Sequence, residues 1–213
     1  MAAEERRTRA DRGERGRRGV AGGRGGDGAR GGDRARLFVA LELPGDVRDA
    51  VVRWRSSAVG EMGGLRLIAA EHLHVTLCFL GWRQGDEVER IAQACAQAAG
   101  IPPGVVSVGE AIWLPPRRPR VLAVKLGDDD DRLVQLQSGL SDLLEAGGWY
   151  TPERRAFMPH VTVARVVRHT SVSPVSLPRP PAVSFTASGV TLFRSHLSSA
   201  GARYDALARM ELG

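Results

Sequence analysis

Two short segments of the sequence place a threonine two residues after a histidine. Residues 74–77 read His-Val-Thr-Leu, and residues 160–163, which lie 86 positions further along the chain, read His-Val-Thr-Val. Because side chains alternate across a β-strand, each histidine shares a face with its threonine, while the aliphatic neighbours point to the other face. Each segment is therefore predicted to be a strand with one imidazole and one hydroxyl on its polar face.

This pair of motifs suits the hydrolysis of a phosphodiester. In-line attack at phosphorus needs a base for the incoming water and an acid for the departing oxygen, on opposite sides of the phosphate. His74 and His160 titrate near neutral pH and can fill these roles, each of which accelerates a reaction by roughly 10²–10⁴-fold. The hydroxyls of Thr76 and Thr162 can donate hydrogen bonds to the non-bridging oxygens. The residues alone leave open which histidine is the acid.

A metal site is the main alternative for these histidines, since His72 and His74 lie two apart on one predicted strand face. Glu71 is the neighbouring carboxylate, and strand alternation turns it to the opposite face, so the ligand set is incomplete. We therefore predict no metal ion and no other cofactor. A single His-x-Thr segment is common in strands without a catalytic role, and it is the repetition with matching faces that favours a site.

The elements that must position the motifs follow from apolar spacing and turn residues. With 213 residues, of which 43% are hydrophobic, the chain suffices for one globular domain and a tail. Strands and helices alternate irregularly, which favours an α+β fold with largely antiparallel sheets. Strands 65–69 and 73–80 are expected to pair through a turn at Ala70 and Glu71. The other predicted strands are 37–43, 105–114, 121–126, 160–167, 183–186, 190–194 and 204–212, and the helices are 46–59, 86–99 and one from the acidic cluster 128–131 to about 145.

The formal net charge of +6 invites a nucleic-acid-binding interpretation. Residues 1–36, however, hold eleven arginines against six acidic residues, so +5 of this charge lies in one segment that also contains ten glycines and no aromatic residue. We predict a disordered Arg/Gly-rich tail at 1–35 and a nearly neutral domain at 36–213. The tail is either an arm that contacts RNA phosphates without sequence preference or an unstructured extension.

Cysteine usage and hydropathy set the expected compartment. Cys78 and Cys95 have no C-x-x-C spacing, so neither a disulfide framework nor a cysteine zinc site is predicted. No run of 18 or more apolar residues is present, and no apolar stretch follows the basic N-terminus. We expect a cytoplasmic protein that makes no membrane contact and is a monomer.

The flanks of both motifs resemble those of a known family. Residues 36–44 are similar to R-L-F-[IV]-A-[IL]-x-[LI]-P, residues 72–81 to N-L-H-[LV]-T-L-x-F-L-G, and residues 157–165 to F-x-P-H-[VI]-T-L-A-R. These patterns are those of the two-histidine (2H) phosphoesterases, and specifically of the RNA 2',3'-cyclic phosphodiesterases, also described as 2'-5' RNA ligase-like proteins. Two spaced motifs with both flanks make the resemblance specific.

The resemblance extends over residues 36–213, with two departures inside the motifs. His72 replaces the common Asn, and Val163 replaces Leu. Residues 192–195 and Tyr204 are similar to the family's late L-[YF]-x-S strand and the tyrosine after it. The implied fold is bilobed with pseudo-twofold symmetry, in which two antiparallel sheets with outer helices surround a central cleft.

The implied reaction opens a terminal 2',3'-cyclic phosphate on RNA to leave a 2'-phosphate, and the resemblance also implies ligation of RNA ends through a 2'-5' linkage. By family pattern, His74 is the acid that protonates the 3' leaving oxygen, and His160 is the base that activates water. Thr76 and Thr162 hold the phosphate. The implied partner is RNA with 2',3'-cyclic phosphate ends.

Four arginines are left with two interpretations each. Arg165 is a phosphate or RNA contact by its place in the motif, yet strict alternation puts it on the face of Val163. Either the strand bulges or ends there, or Arg165 is a structural residue at the rim. Arg117, Arg118 and Arg120 lie in a turn, where they either meet the RNA strand or are solvated.

Two further functions compete with the leading one. Related two-histidine proteins act on small cyclic nucleotides or on 2'-5' oligonucleotides, and turnover of mononucleotide against oligonucleotide cyclic phosphates decides between these substrates. A protein of a different class, an RNA-binding module that works through its basic tail, would need no chemistry. The duplicated motif counts against this second alternative.

Overall fold

The computed structural model describes residues 34–102, 104–198 and 201–213. Of the predicted tail, only Arg34 and Ala35 fall within these residues, where they open the first strand; the rest lies outside the described residues. The strands of the described chain are β1 (Arg34–Glu42), β2 (Leu65–Leu67), β3 (His74–Gln84), β4 (Val105–Leu114), β5 (Val121–Asp128), β6 (His160–Val166), β7 (Ser184–Thr186), β8 (Gly189–Ser198) and β9 (Gly201–Glu211). Its α-helices are α1 (Gly45–Val59), α2 (Val88–Ala98) and α3 (Arg132–Ala146), and short 3-10 helices span Ala70–His72 and Gly85–Glu87.

The described strands form one hydrogen-bonded sheet in the order β7-β4-β5-β6-β3-β1-β8-β9, with β2 also paired to β6. Every pairing is antiparallel. The predicted α+β fold with antiparallel sheets is thus confirmed. The two halves, β3-β1-β8-β9 and β6-β5-β4-β7, meet at the single pair Val75 and Val161, so the two expected sheets join edge to edge. This pair lies in the middle of both histidine motifs.

The predicted hairpin between residues 65–69 and 73–80 is wrong. β2 pairs instead with β6, where Leu67 lies opposite Ala164. A hairpin needs a tight turn between the ends of its strands, whereas the first amide after β2 donates to a β6 carbonyl 3.0 Å away and residues 70–72 form a 3-10 helix. β6 therefore has β5 along one edge, and β3 followed by β2 along the other.

A single apolar core anchors the aliphatic residues of both motifs. Val75, Val161 and Val163 are almost completely buried in it. The helices α2 and α3 pack on each other and against the sheet, and their buried residues are Ile91, Cys95, Ala98, Leu133, Leu136, Leu140, Ser141 and Leu144. The opposite face of the motif strands is left for polar side chains. In the described residues, no helix is long and apolar enough to cross a membrane.

Asp128, in the acidic cluster from which the third helix was predicted to start, caps α3. The Asp128 carboxylate accepts hydrogen bonds from the backbone amides of Leu133 at 3.1 Å and Val134 at 2.9 Å. A carboxylate that accepts amides of the first helical turn stabilises the positive end of the helix dipole. This cap fixes the connection from β5 to α3.

Candidate active site

The two histidines are anchored in the same way. His74 Nδ1 lies 2.8 Å from the carbonyl oxygen of His72, and His160 Nδ1 lies 2.8 Å from that of Met158, in each case two residues earlier. Because a carbonyl oxygen only accepts, Nδ1 must carry the hydrogen and Nε2 is the basic nitrogen of each neutral ring. In the first motif, Nε2 lies 3.1 Å from the Thr76 hydroxyl, which therefore donates to it. Both rings thus present a proton acceptor.

Each motif strand has a β-bulge at the fourth position of its motif. Leu77 has no partner in the register of β3 with β1, and Val163 has none in the register of β6 with β5. A bulge places two residues opposite one and so resets the alternation of side chains. Arg165 therefore shares the face of His160, which supports the first of its two interpretations. Phe79 occupies the same place in the first motif.

The electrostatics of His74 show that the site residues converge. Burial, the largest effect, lowers the pKa of His74 to about 4; the hydrogen bond to the His72 carbonyl opposes this shift. Coulombic interactions with Arg165, His72 and His160 lower the pKa of His74 further. Side chains from both motifs therefore lie within electrostatic reach of one imidazole, and in the free protein this imidazole is neutral at pH 7.

Aromatic rings from distant parts of the chain pack around His74 and partly bury it. Its ring centroid lies 5.0 Å from that of Phe38, 5.4 Å from Tyr204 and 6.4 Å from Phe193. His72, the residue that departs from the family pattern, packs on Tyr204 at 4.7 Å. Phe38 and Phe193 are on paired strands, β1 and β8, and Tyr204 is on β9. The motif itself carries no sign of this cluster.

Phe79 is a candidate site residue that sequence reasoning missed. It is 44% exposed on the polar face of β3, and the Arg36 guanidinium lies 4.4 Å from its ring centroid. Phe79 follows His74 by five residues, just as Arg165 follows His160. This matched spacing is visible in the sequence, but it indicates a shared face only once both bulges are known.

The turn between β4 and β5 lines an open cleft of about 840 Å³ at the end of β6. The opposite wall of the cleft is the segment 166–174, which follows the second motif. The arginines that line it are Arg117, Arg118, Arg120 and Arg168, all of them exposed. We call this feature the arginine cleft.

The acidic residue opposite His74 is engaged elsewhere. Glu42 pairs with His74 across β1 and β3, but its Oε1 accepts hydrogen bonds from Thr191 Oγ1 at 2.6 Å and Arg209 Nε at 3.1 Å. Within the part of the chain that the structure describes, no three His, Cys, Asp or Glu side chains are grouped to hold a metal ion. Among the described residues, His72 and His74, which the sequence offered as the alternative metal site, are therefore not grouped with a third ligand of these types.

Comparison with known proteins points to one family. The model of the 2'-5' RNA ligase superfamily matches residues 43–198. The RNA 2',3'-cyclic phosphodiesterase of Escherichia coli (strain K12) is 30% identical over 180 residues, which cover 83% of this chain and 96% of that protein. The protein of the same name from Thermus thermophilus is 30% identical over 190 residues, covering 83% and 90%. The crystal structure of Escherichia coli LigT complexed with 3'-AMP matches with a TM-score of 0.71 at 28% identity, covering 84% of this chain and 99% of that chain.

Proposed function

The chain belongs to the 2'-5' RNA ligase superfamily, and from this premise we propose that it hydrolyses RNA 2',3'-cyclic phosphate termini to 2'-phosphomonoesters by acid–base catalysis without a metal ion. The family resemblance is confirmed by the family match, and the enzyme class by relatives named RNA 2',3'-cyclic phosphodiesterase. One observation carries the proposal. The imidazoles of His74 and His160 each bond a carbonyl two residues earlier, and they lie on one face of β3 and β6, which pair at Val75 and Val161.

In the proposed reaction the cyclic phosphate lies between the Nε2 atoms of the two histidines. His160 Nε2 removes a proton from water, the water oxygen bonds to phosphorus, and the bond from phosphorus to O3' breaks on the opposite side. His74 donates a proton to O3', which leaves a 3'-hydroxyl and a 2'-phosphate. The roles of acid and base follow the family pattern, because the two rings are anchored alike.

The threonines and Arg165 stabilise the charge that develops on phosphorus. In the free protein the Thr76 hydroxyl donates to His74 Nε2; with substrate bound, it turns to a non-bridging oxygen, as does the hydroxyl of Thr162. Arg165 lies on the same face and supplies a guanidinium whose donors suit phosphate oxygens. Fixed donors of this kind act where the negative charge develops in the transition state.

The role of His74 as acid requires its protonation in the complex. Burial holds the pKa of His74 at about 4 in the free protein, which suits a base better than an acid. A bound phosphodiester adds a negative charge beside Nε2, and an adjacent anion raises the pKa of an imidazole. Substrate binding and proton uptake by His74 are therefore coupled in the proposed mechanism.

Phe79 offers a surface for the terminal nucleobase. Its ring is exposed beside the motif and carries Arg36 near one face. Stacking on an aromatic ring favours bases of every kind, since each has a π-face. We infer that Phe79 binds the base without selecting its identity.

Ligation of RNA ends uses the same groups with a different nucleophile. If a 5'-hydroxyl replaces water, His160 takes its proton, the hydroxyl oxygen bonds to phosphorus, and His74 again protonates O3'. The product is a 2'-5' linkage. Whether the product is a 2'-phosphate or a 2'-5' linkage then depends on whether water or a second RNA end occupies the position beside His160.

The proposal is tested with an oligonucleotide that ends in a 2',3'-cyclic phosphate. His74→Ala and His160→Ala should each lower kcat by about 10²–10⁴-fold, because each removes one proton-transfer step. The wild type should keep its rate in a chelator and release a 2'-phosphate. His196→Ala is the matched control: this histidine pairs with Asp205 at 2.8 Å and should retain the parent rate.

Activity that survives both His74→Ala and His160→Ala would refute the proposed site. Turnover limited to mononucleotides would favour the small-nucleotide alternative, and binding of RNA without turnover would favour the RNA-binding module.

A further inference from the structure

Arg66 lies beside Arg165 on the face that carries the histidines. The two residues are directly opposite each other in the pairing of β2 with β6. Directly opposed residues of an antiparallel pair project from the same face, with Cβ atoms about 4.5–5.5 Å apart. Once the bulge at Val163 is allowed for, Arg165 is the next residue on this face after Thr162, about 7 Å along the strand. Arg66 and Arg165 are thus neighbours of Thr162, the threonine that is proposed to hold the phosphate.

This arginine pair has no acidic counterpart in the described chain. Neither Arg66 nor Arg165 takes part in a salt bridge to a described carboxylate. The segment 154–204, which contains β6, has no Asp or Glu at all. Like charges placed directly opposite each other are destabilising, and an anion bound between the two guanidiniums removes that repulsion.

The arginine cleft lies beyond this pair along the chain, at the end of β6. Its lining begins at Val166, one residue after Arg165. None of its four arginines forms a salt bridge with a described acidic residue, and the segment 111–127, which forms its turn, also lacks Asp and Glu. The end of β6 lies about 20 Å from His160, at roughly 3.3 Å per residue. A chain of nucleotides can span this distance, whereas a single nucleotide cannot.

We propose that Arg66 and the arginine cleft bind the RNA backbone on the 5' side of the cyclic end. Arg66 takes the phosphate that precedes the terminal nucleotide, beside Arg165 at the cyclic phosphate, and the arginine cleft takes phosphates further upstream. This inference rests on the proposed function and names its substrate: the end of an RNA strand rather than a free nucleoside cyclic phosphate. Guanidinium groups suit the task because they bind phosphate through two parallel hydrogen bonds and read no base.

Arg66 and the arginine cleft are the two parts of one proposed RNA-binding path, and substrates of graded length separate their contributions. We would measure kcat/KM for a nucleoside 2',3'-cyclic phosphate, a dinucleotide and a hexanucleotide with the same end. In the wild type kcat/KM should rise at both steps. Arg66→Ala should reduce the gain from nucleoside to dinucleotide by about three- to tenfold. The double variant Arg118→Ala/Arg168→Ala should reduce the gain from dinucleotide to hexanucleotide instead.

Arg53→Ala is the matched control, since Arg53 is an exposed arginine on α1 and its loss should leave both gains intact. Arg66→Lys keeps the charge and should restore part of the dinucleotide gain. Variants whose gains equal those of Arg53→Ala would overturn the proposal.

A binding measurement keeps this test independent of catalysis. The probe is a fluorescent hexanucleotide with a 3'-terminal phosphate, and its Kd is measured over a range of salt concentrations. Each lost phosphate contact should lower the slope of log Kd against log salt by about 0.7, a change that a structural defect alone would not produce. An unchanged slope in Arg66→Ala and in the cleft variant refutes the path. A wild type that binds with this slope but hydrolyses nothing supports the path and refutes the proposed function.

Discussion

At the scale of the residue, a motif determines which way a side chain points, and the groups around the side chain determine whether it binds a proton. His74 donates Nδ1–H to a carbonyl two residues back, as His160 does. Aromatic rings of β1, β8 and β9 surround His74, and burial lowers its pKa to about 4. Since the unfolded chain has no such cluster, His74 titrates near 6.5 there. Folding therefore lowers the affinity of this imidazole for a proton.

The depressed pKa of His74 predicts a pH-dependent stability. Between pH 6.5 and 4 the unfolded chain binds a proton that the folded protein does not, so stability is complete above pH 6.5 and falls as pH drops through this window. The loss from pH 7 to pH 5 should be up to about 2 kcal/mol. Urea unfolding of the wild type and His74→Asn at both pH values measures it. The variant should lose less stability on acidification, and equal losses in the two proteins would contradict the burial of a neutral His74.

At the scale of the element, a buried arginine supports the bulge that turns Arg165 towards the site. Arg55 of α1 is 5% exposed, and its guanidinium donates to the carbonyl oxygens of Ile68 and Val163, the latter at 3.3 Å. Val163 is the bulged residue of β6, and Ile68 directly follows β2. Burial lowers the pKa of Arg55. We infer that α1 holds the junction of β2 and β6 in register through this side chain.

Arg55→Met should therefore reduce stability and substrate binding together. The Ile68 carbonyl loses its donor, which costs about 1–3 kcal/mol of unfolding free energy. At a temperature where the variant stays folded, a less well-placed Arg165 should raise KM more than it lowers kcat, because both histidines keep their anchors. Denaturant unfolding and steady-state kinetics measure the two effects. Arg55→Lys should partly restore the wild-type KM. Arg53→Met, on the exposed side of α1, should change neither the stability nor KM.

At the scale of the whole molecule, charge is divided unevenly along the chain. Residues 1–36 carry +5 and the remaining residues +1, so the proposed RNA binding by the folded part depends on where its arginines lie and not on its net charge. Acidic residues are absent from 111–127 and from 154–204. These two stretches contain most of β5, all of β6, β7 and β8, and the walls of the arginine cleft. In a nearly neutral domain, these two stretches thus contribute only positive charge.

The cysteines provide a test of the shared core. Cys78 lies on β3 and Cys95 on α2; both are free and buried, and burial raises the pKa of both thiols to about 12. Because the thiolate is the reactive form, neither thiol should react with a disulfide reagent at pH 8 in the native protein, while both should react in denaturant. Treated protein should keep its activity. Rapid labelling of either cysteine under native conditions would contradict this packing.

Local patterns determined much of this protein. Side-chain alternation alone put His74 with Thr76 and His160 with Thr162, and turn residues and apolar spacing located the helices and most strands within a few residues. The acidic cluster 128–131 likewise marked the start of α3, where Asp128 provides the cap. These features depend on neighbours in the chain, so they are legible in the sequence.

Tertiary structure decided the features that depend on which strands become neighbours. β2 pairs with β6 instead of β3, the bulges at Leu77 and Val163 return Phe79 and Arg165 to the polar face, and Arg66 comes to lie beside Arg165. The aromatic cluster that depresses the pKa of His74 also joins residues more than 100 positions apart. A one-residue shift in strand pairing moves every side chain to the other face. Alternation read from the sequence therefore holds only up to the first bulge, and beyond it the partner strand determines where a side chain points.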